Sequence, residues 1–427
     1  MKISMSSPKL FEIKLPVKNR KKESLFFLIL ASFIISSIFY FTYIQYAPIL
    51  PSDFPRINIT CESELNNDDY VDCTFELVSD DDSERITPMK SKIKVRGSFN
   101  AQMPKKGYRI ELSKRESLLG LRKDDDWQLF ALFMDLSDVR IKLSFDLWRT
   151  LIQTNPTAIL PDSRFVCLYI NGEFQGLYLL AEKNDRRLFG FDDAINNINS
   201  SLIFQAGARR DDFKNYKSSD WQQDWPNEDE GIYIKDDIMT SLSRFISNTS
   251  DSEFFNPSLG IYSKFNKLNL IDFYLFNFFI LHRDFWGQNY FLVRNSYPNL
   301  FYLVPWDFDP SFGQYLDRKY SPTEDPSDDI LSRNYLYKRL LGNQEFIIDA
   351  KERWNFLRHS IWTEEFILGM ISDMYEDIKD ILKIDAKIWY PLIFKNDWEA
   401  EIEEAINYLY EWIPERLDFC DSYFEEY

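Results

Sequence analysis

Alternation is the first pattern along the chain. Apolar and polar residues alternate over residues 57–60, 74–77, 91–95 and 107–112, with β-branched residues frequent and acidic or Pro/Gly-containing turns between the runs. A period of two with such turns predicts an antiparallel sheet. The period then becomes that of a helix: Val139, Leu143, Leu147 and Leu151 recur at every fourth position, Ile141, Phe145 and Trp148 widen the same face, and Pro156 lies beyond the end. Ser137 stands where such a helix would be capped. Residues 165–170 and 173–180 are strand-like and flank Asn171-Gly172, the strongest short hairpin signal. Residues 185–262 show no clear period, whereas 270–281 is a nearly continuous apolar run that predicts a buried helix. Amphipathic stretches at 328–341, 364–382 and 398–412 predict a helical C-terminal part. The whole reads as α+β, an antiparallel β-rich N-terminal lobe followed by a mainly helical C-terminal lobe.

One segment stands apart. Residues 24–52 carry no charge, and 25–44 are mostly apolar, enough for a helix of about 30 Å across a bilayer core. Lys18, Arg20, Lys21 and Lys22 precede it, and basic flanks stay cytoplasmic. A cleaved signal peptide would have a shorter apolar region, about 7 to 15 residues, ending in small residues. The expectation is a single-pass membrane protein with a basic cytoplasmic tail over 1–23, a transmembrane signal-anchor helix in the lipid bilayer over 24–46, a linker over 47–55 and an extracytoplasmic remainder.

The rest of the composition narrows the function classes. Lys and Arg number 50 against 68 acids, a net charge of −18; the first fifty residues carry +5, leaving −23 on the remainder. So acidic a body repels nucleic acid, whose affinity comes largely from neutralised phosphates. Cys61 and Cys73 flank a polar run between two strand-like segments, where a hairpin would bring them together and a disulfide is open; Cys167 lies in an apolar strand and reads as a buried small residue. With four scattered Cys and no CxxC, a zinc site is not expected. The chain has two histidines, His282 and His359, which leaves little support for a Ser or Cys hydrolase, and His282 reads as packing the turn before Asp284.

Residues 282–309 carry the chemistry. His282-Arg283-Asp284 is followed at Asn289 by an amide five residues on, then by an apolar hairpin and by Val304-Pro305-Trp306-Asp307-Phe308-Asp309. An Asp, an Asn five residues later and an Asp-Phe pair at the next strand end reproduce the order of the phosphoryl-transfer apparatus of kinases. Transfer from ATP needs a carboxylate at the acceptor hydroxyl, hard oxygen ligands for a divalent cation and cations on the phosphates. Asp284 fits the first role; Asn289 and Asp307, with Asp309 nearby, fit the second for Mg²⁺ or Mn²⁺. The β-rich part offers Arg96, Lys105 and Lys106 for the phosphates, with Gly97 and Gly107 permitting close backbone approach, and Glu182 as the acid that would fix the clamp lysine.

These blocks carry a resemblance. Lys94-Val95-Arg96-Gly97-Ser98, Pro104 through Ile110, Trp127 through Leu132 with Asp135, Ser137 and Arg140, Leu168 through Glu182, the Asp284 and Asn289 pair, and Val304 through Asp309 with Phe312-Gly313 together resemble the CotH spore-coat kinase family. The resemblance covers residues 56–345, leaving 346–427 as a helical extension packed on the same domain. It implies an atypical protein-kinase-like two-lobe fold and ATP- and metal-dependent phosphorylation of Ser or Thr in protein substrates, with Asp284 catalytic and Asp307 at the metal. Gly97-Ser98-Phe99 lacks the Asn-Ser run often found after Arg-Gly in that family. Two other classes compete. A glycoside hydrolase would use Asp284 and Asp307 about a sugar stacked on Trp286 and Trp306, leaving Asn289, Lys105 and Lys106 without a role. A surface scaffold or adhesin would keep the fold without the chemistry.

Overall fold

The alternating segments close on themselves. In the computed structural model, which describes residues 54–426 apart from 98–99, 208–212, 229–230, 284, 316–317 and 393–397, β1 (Arg56–Cys61), β2 (Val71–Val78), β3 (Ile86–Arg96), β4 (Gly107–Glu116), β5 (Asp124–Phe130), β6 (Ser163–Ile170) and β7 (Glu173–Glu182) form a closed barrel in the order β1-β2-β3-β4-β5-β7-β6. Every neighbouring pair is antiparallel except β1 and β6, which run parallel and close the barrel. The expected sheet is thus present, and closure leaves it no open edge. Its interior is the apolar half of the alternation: Ile57, Phe75, Ile93, Ile110, Leu129, Leu168 and Leu180 are all buried. The outer halves of β3 to β5 face the functional cleft.

The hairpin forms where Asn171-Gly172 predicts it, both residues having positive φ (51° and 81°) between β6 and β7. Cys61 and Cys73 are direct cross-strand partners, as the hairpin reading anticipated, and both are free thiols; burial pushes the Cys61 thiol up to about 12. Cys167 is buried.

A second sheet, ordered β11-β10-β8-β9, is built from β8 (Leu202–Ala206), β9 (Trp221–Trp225), β10 (Tyr290–Arg294) and β11 (Tyr302–Pro305). Two of its strands come from the stretch without a clear period. Helices α1 (Arg140–Arg149), α2 (Lys235–Asn248), α3 (Asp251–Phe254), α4 (Lys267–Phe279), α5 (Ser327–Arg333), α6 (Tyr335–Leu340), α7 (Gln344–Ser360), α8 (Glu364–Trp389) and α9 (Trp398–Glu426) make the described chain an α+β mixture.

The cap of α1 differs from expectation. Ser137 does not cap it; Asp135 accepts the Arg140 amide at 2.8 Å and the Ser137 amide at 3.0 Å and is ion-paired with the Arg140 side chain, itself only 1% exposed. A carboxylate reaches both amides and neutralises the buried guanidinium, which a hydroxyl could not do. On α1, Phe145 stacks on Trp306 (centroids 5.7 Å apart) and meets Phe130 edge-on, so this helix joins the barrel to the second sheet.

α4 is the expected apolar helix, with Asn269 through Phe279 buried. Asp272 within it forms a bidentate pair with Arg353 of α7 (2.7 and 3.0 Å). The C-terminal carbonyls of α4 are capped from far along the chain: Arg416 of α9 donates to Phe278 O at 2.5 Å and Phe279 O at 3.1 Å, a cation placed where the helix dipole favours it.

The membrane expectation is corrected. No helix among the described residues is long and apolar enough to cross a membrane. Residues 24–46, with the tail and nearly all of the linker, lie outside the described residues. The single-pass, extracytoplasmic placement does not stand.

Candidate functional site

Strand register brings the sequence motif together. Tyr290 of β10 pairs with Pro305 of β11, so Asn289 just before one strand lies opposite Trp306 just after the other, and the Trp306 amide donates to Asn289 O at 2.8 Å. Asp307 follows directly. Asn289 and Asp307 both hold left-handed backbone (φ 62° and 64°), a conformation that Asn and Asp tolerate better than other side chains. The turn after α4 is tied to the same loop three times: His282 Nε2 hydrogen-bonds Asp307 O (2.8 Å), the Arg283 amide donates to Pro310 O (3.0 Å), and the Phe312 amide donates to Ile280 O (2.7 Å). His282, 4% exposed, therefore packs the turn as the sequence suggested. Asp284 itself lies outside the described residues.

Asn289, Asp307 and Asp309 line one cleft of about 1210 Å³. Its other wall is the outer face of the barrel, where every second residue points away from the core: Arg96 on β3, Arg109 on β4, and Asp126, Gln128 and Phe130 on β5. Arg96 lies over the Phe130 ring at 4.0 Å, and Gly107 opposite leaves it room, since a Cβ there would sit 3.0 Å from Arg96 Cγ. Burial, with Arg109 beside it, pulls the Arg96 guanidinium down to about 10, while Asp307 and Asp309 across the cleft hold it up. Arg96 and the two acids of the motif thus share one electrostatic environment. Asp224 on β9 also lines the cleft; burial pushes its carboxyl up to about 6 against Arg109, a Gln222 hydrogen bond and Lys183.

Not every expected residue is where the sequence reading put it. Lys105 lines the cleft but is only 1% exposed, and its ammonium donates to Asp385 Oδ1 at 2.6 Å and Leu177 O at 2.7 Å. Glu182 is not its partner. That carboxylate accepts the Arg122 amide at 3.0 Å and the Asp162 amide at 3.1 Å, fastening two loops at the barrel end. Lys106 donates to Ala101 O at 2.7 Å and is absent from the cleft lining. The sequence reading missed Arg109, Asp224 and Asp385. For Asp385 a signal existed: it falls on the apolar stripe of α8 with Ile378, Ile381 and Leu382, and an acid on a buried face needs a cation.

The donors at Asn289, Asp307 and Asp309 are an amide oxygen and carboxylates, the hard set that suits Mg²⁺ or Mn²⁺. A different acidic triad, Asp124, Asp126 and Asp185, has its oxygens within 4.8 Å of one another. It already holds the protein's own cations: Arg122 meets Asp124 at 2.8 Å and Asp185 at 3.2 Å, and Arg187 bonds Asp124 and Asp126. Trp286 and Trp306 do not offer the sugar platform a glycoside hydrolase would take from them, being 2% and 7% exposed and packed among other rings.

Comparison with known proteins agrees with the motif. The sequence profile described as CotH kinase protein matches residues 93–420. The inner spore coat protein H of Bacillus subtilis (strain 168) is 27% identical over 304 residues, covering 69% of this chain and 78% of that protein. Among solved structures, the crystal structure of the Golgi casein kinase aligns over 87% of this chain and 73% of its own at 9% identity with a TM-score of 0.26, too slight a likeness to carry an argument. The profile match spans the barrel strands from β3 onward, the second sheet and the helices through most of α9, and on that match the chain belongs to the CotH kinase protein family.

Proposed function

We propose that the protein is an ATP-dependent phosphotransferase that moves the γ-phosphoryl group to Ser or Thr hydroxyls of protein substrates. The observation that carries this reading is the meeting of Asn289, Asp307 and Asp309 with Arg96 and Arg109 across one cleft, oxygen donors on one side and guanidinium groups on the other. That is the division of labour phosphoryl transfer needs, since catalysis there is mostly positioning and charge stabilisation.

In this reading Arg96 and Arg109 hold the phosphates, with Lys105 at the cleft floor. Asn289, Asp307 and Asp309 would hold Mg²⁺ or Mn²⁺, which when bound neutralises charge on the phosphate oxygens. Asp284 accepts the proton of the acceptor hydroxyl as its oxygen bonds to the γ-phosphorus and the bond to the β-phosphate oxygen breaks, releasing ADP. His282 fixes the turn carrying Asp284 to the loop carrying Asp307 through its hydrogen bond to Asp307 O.

The test is incubation of the full chain with labelled ATP and Mn²⁺, alone and with candidate acceptor proteins. Phosphate on Ser or Thr that is lost in Asp284→Ala and Asp307→Ala supports the reading. Absence of both transfer and nucleotide binding in the wild-type protein would leave the scaffold alternative standing.

A further inference from the structure

We propose that Asp385, on helix α8, is the positioning residue for Lys105, so that nucleotide affinity depends on a C-terminal helix distant in sequence from the loops that bear the acids. This rests on the phosphotransferase reading and adds a residue to it.

The argument begins with a break in the barrel. The β6–β7 register shifts between Leu168 and Tyr169: Gly176 faces Leu168 and Phe174 faces Tyr169, which leaves Gln175 as an extra residue. Gly176 has φ +114°, and a Cβ on it would overlap Asp385 Oδ1. Helix α8 fills the gap with two side chains one turn apart. Asp385 Oδ1 accepts the Leu177 amide at 2.7 Å, and Trp389 Nε1 donates to Gln175 O at 2.9 Å. The same carboxylate oxygen takes Lys105 Nζ at 2.6 Å, with side-chain exposures of 1% and 2% for the two partners.

A pair this deeply buried gives little net stability, because desolvating two charges offsets most of their attraction and an apolar pair does as well. Holding a charge in one place is what it does well. The Lys105 ammonium has three donors. Asp385 and Leu177 O take two and fix its direction, the ammonium lies 4.9 Å from the Tyr178 ring centroid, and the remaining donor is the one this proposal assigns to an anionic oxygen entering the cleft that Lys105 lines. Asp138 lies near the same pair, fully buried, and its Oδ2 accepts no hydrogen bond. Burial pushes the Asp138 carboxyl well up against the pull of Lys105, and raises the Asp385 carboxyl as well; of the two acids it is Asp385 whose oxygen sits on the ammonium, at 2.6 Å.

The experiment measures Mg²⁺-ATP binding and thermal melting on the full chain for wild type, Asp385→Asn, Lys105→Met, the double variant and Trp389→Phe. Asp385→Asn is expected to weaken ATP binding at least tenfold at a temperature where it is folded. Trp389→Phe, which loosens the same helix but leaves the pair intact, should bind ATP within twofold of wild type. Because Asp385 acts only through Lys105, the double variant should bind no more weakly than Lys105→Met. ATP affinity of Asp385→Asn within twofold of wild type overturns the proposal, as does a double variant showing the product of the two single losses. Should Asp385→Asn not fold, Asp385→Glu keeps the charge but displaces it; the same tenfold loss is expected, and unchanged affinity overturns the proposal. Wild-type protein that binds no ATP sinks the phosphotransferase reading itself, a different result from wild-type binding that Asp385 does not influence.

Discussion

Gly176→Ala tests the docking of α8 on the barrel with a single methyl group. The residue has φ +114°, and the added Cβ would overlap Asp385 Oδ1 and approach Trp389 Nε1 to 3.1 Å. Two costs follow. Forcing a side chain into left-handed backbone costs about 1–2 kcal/mol. Displacing Asp385 from Lys105 and from the Leu177 amide breaks a buried ion pair, worth about 3–5 kcal/mol when one partner is removed. Gly172→Ala isolates the first cost, because Gly172 also has positive φ (+81°) but its Cβ would meet nothing within 4 Å. Urea unfolding should therefore show Gly176→Ala less stable than Gly172→Ala by about 3–5 kcal/mol, a large share of the roughly 5–15 kcal/mol typical of a folded protein. In an Asp385→Ala background the extra penalty at Gly176 should shrink towards the backbone cost alone. Equal losses for the two glycine variants, or an undiminished penalty without Asp385, would refute the claim that Gly176 exists to admit that carboxylate.

Asp307→Ala should abolish the Mg²⁺-dependent part of nucleotide binding, whereas Asp284→Ala should keep binding and lose transfer by about 10²–10⁴-fold; titration calorimetry beside a transfer assay separates them, and equal nucleotide affinity in the two variants contradicts the assigned roles. Asp224, with its carboxyl raised to about 6 chiefly by burial, contributes stability that is fully present below about pH 4 and lost as pH rises through about 6. Asp224→Asn should accordingly be more stable than wild type at pH 7.5, by on the order of 2 kcal/mol, with the gap closing by pH 4; a pH-independent gap in urea unfolding would mean the carboxyl is not raised. Asp135→Ala strips Arg140 of its buried partner and α1 of its cap and should cost about 3–5 kcal/mol, against about 1 kcal/mol for Ser137→Ala, and a reversed order in thermal or chemical melts would restore Ser137 as the main cap.

What the sequence by itself determined is local. Side-chain period is a property of neighbouring residues, so every barrel strand but β5, the Asn171-Gly172 hairpin and the apolar helix α4 were legible. The order Asp284, Asn289, Asp307 and Asp309 was legible too, because a short hairpin joins the segments and its register needs few residues to specify. The tertiary structure decided what is joined over long separations. Closure of the barrel by parallel β1 and β6 leaves no mark on either strand, since both already alternate. Lys105 read as a phosphate clamp held by Glu182, yet a shift in strand register admits Asp385 from 280 residues away, and Glu182 turns to backbone amides instead. Likewise Arg416 reaches back to cap α4. A buried charge must find its counterpart, but which one it finds is fixed by how helices pack on the barrel, and no window of sequence contains that information.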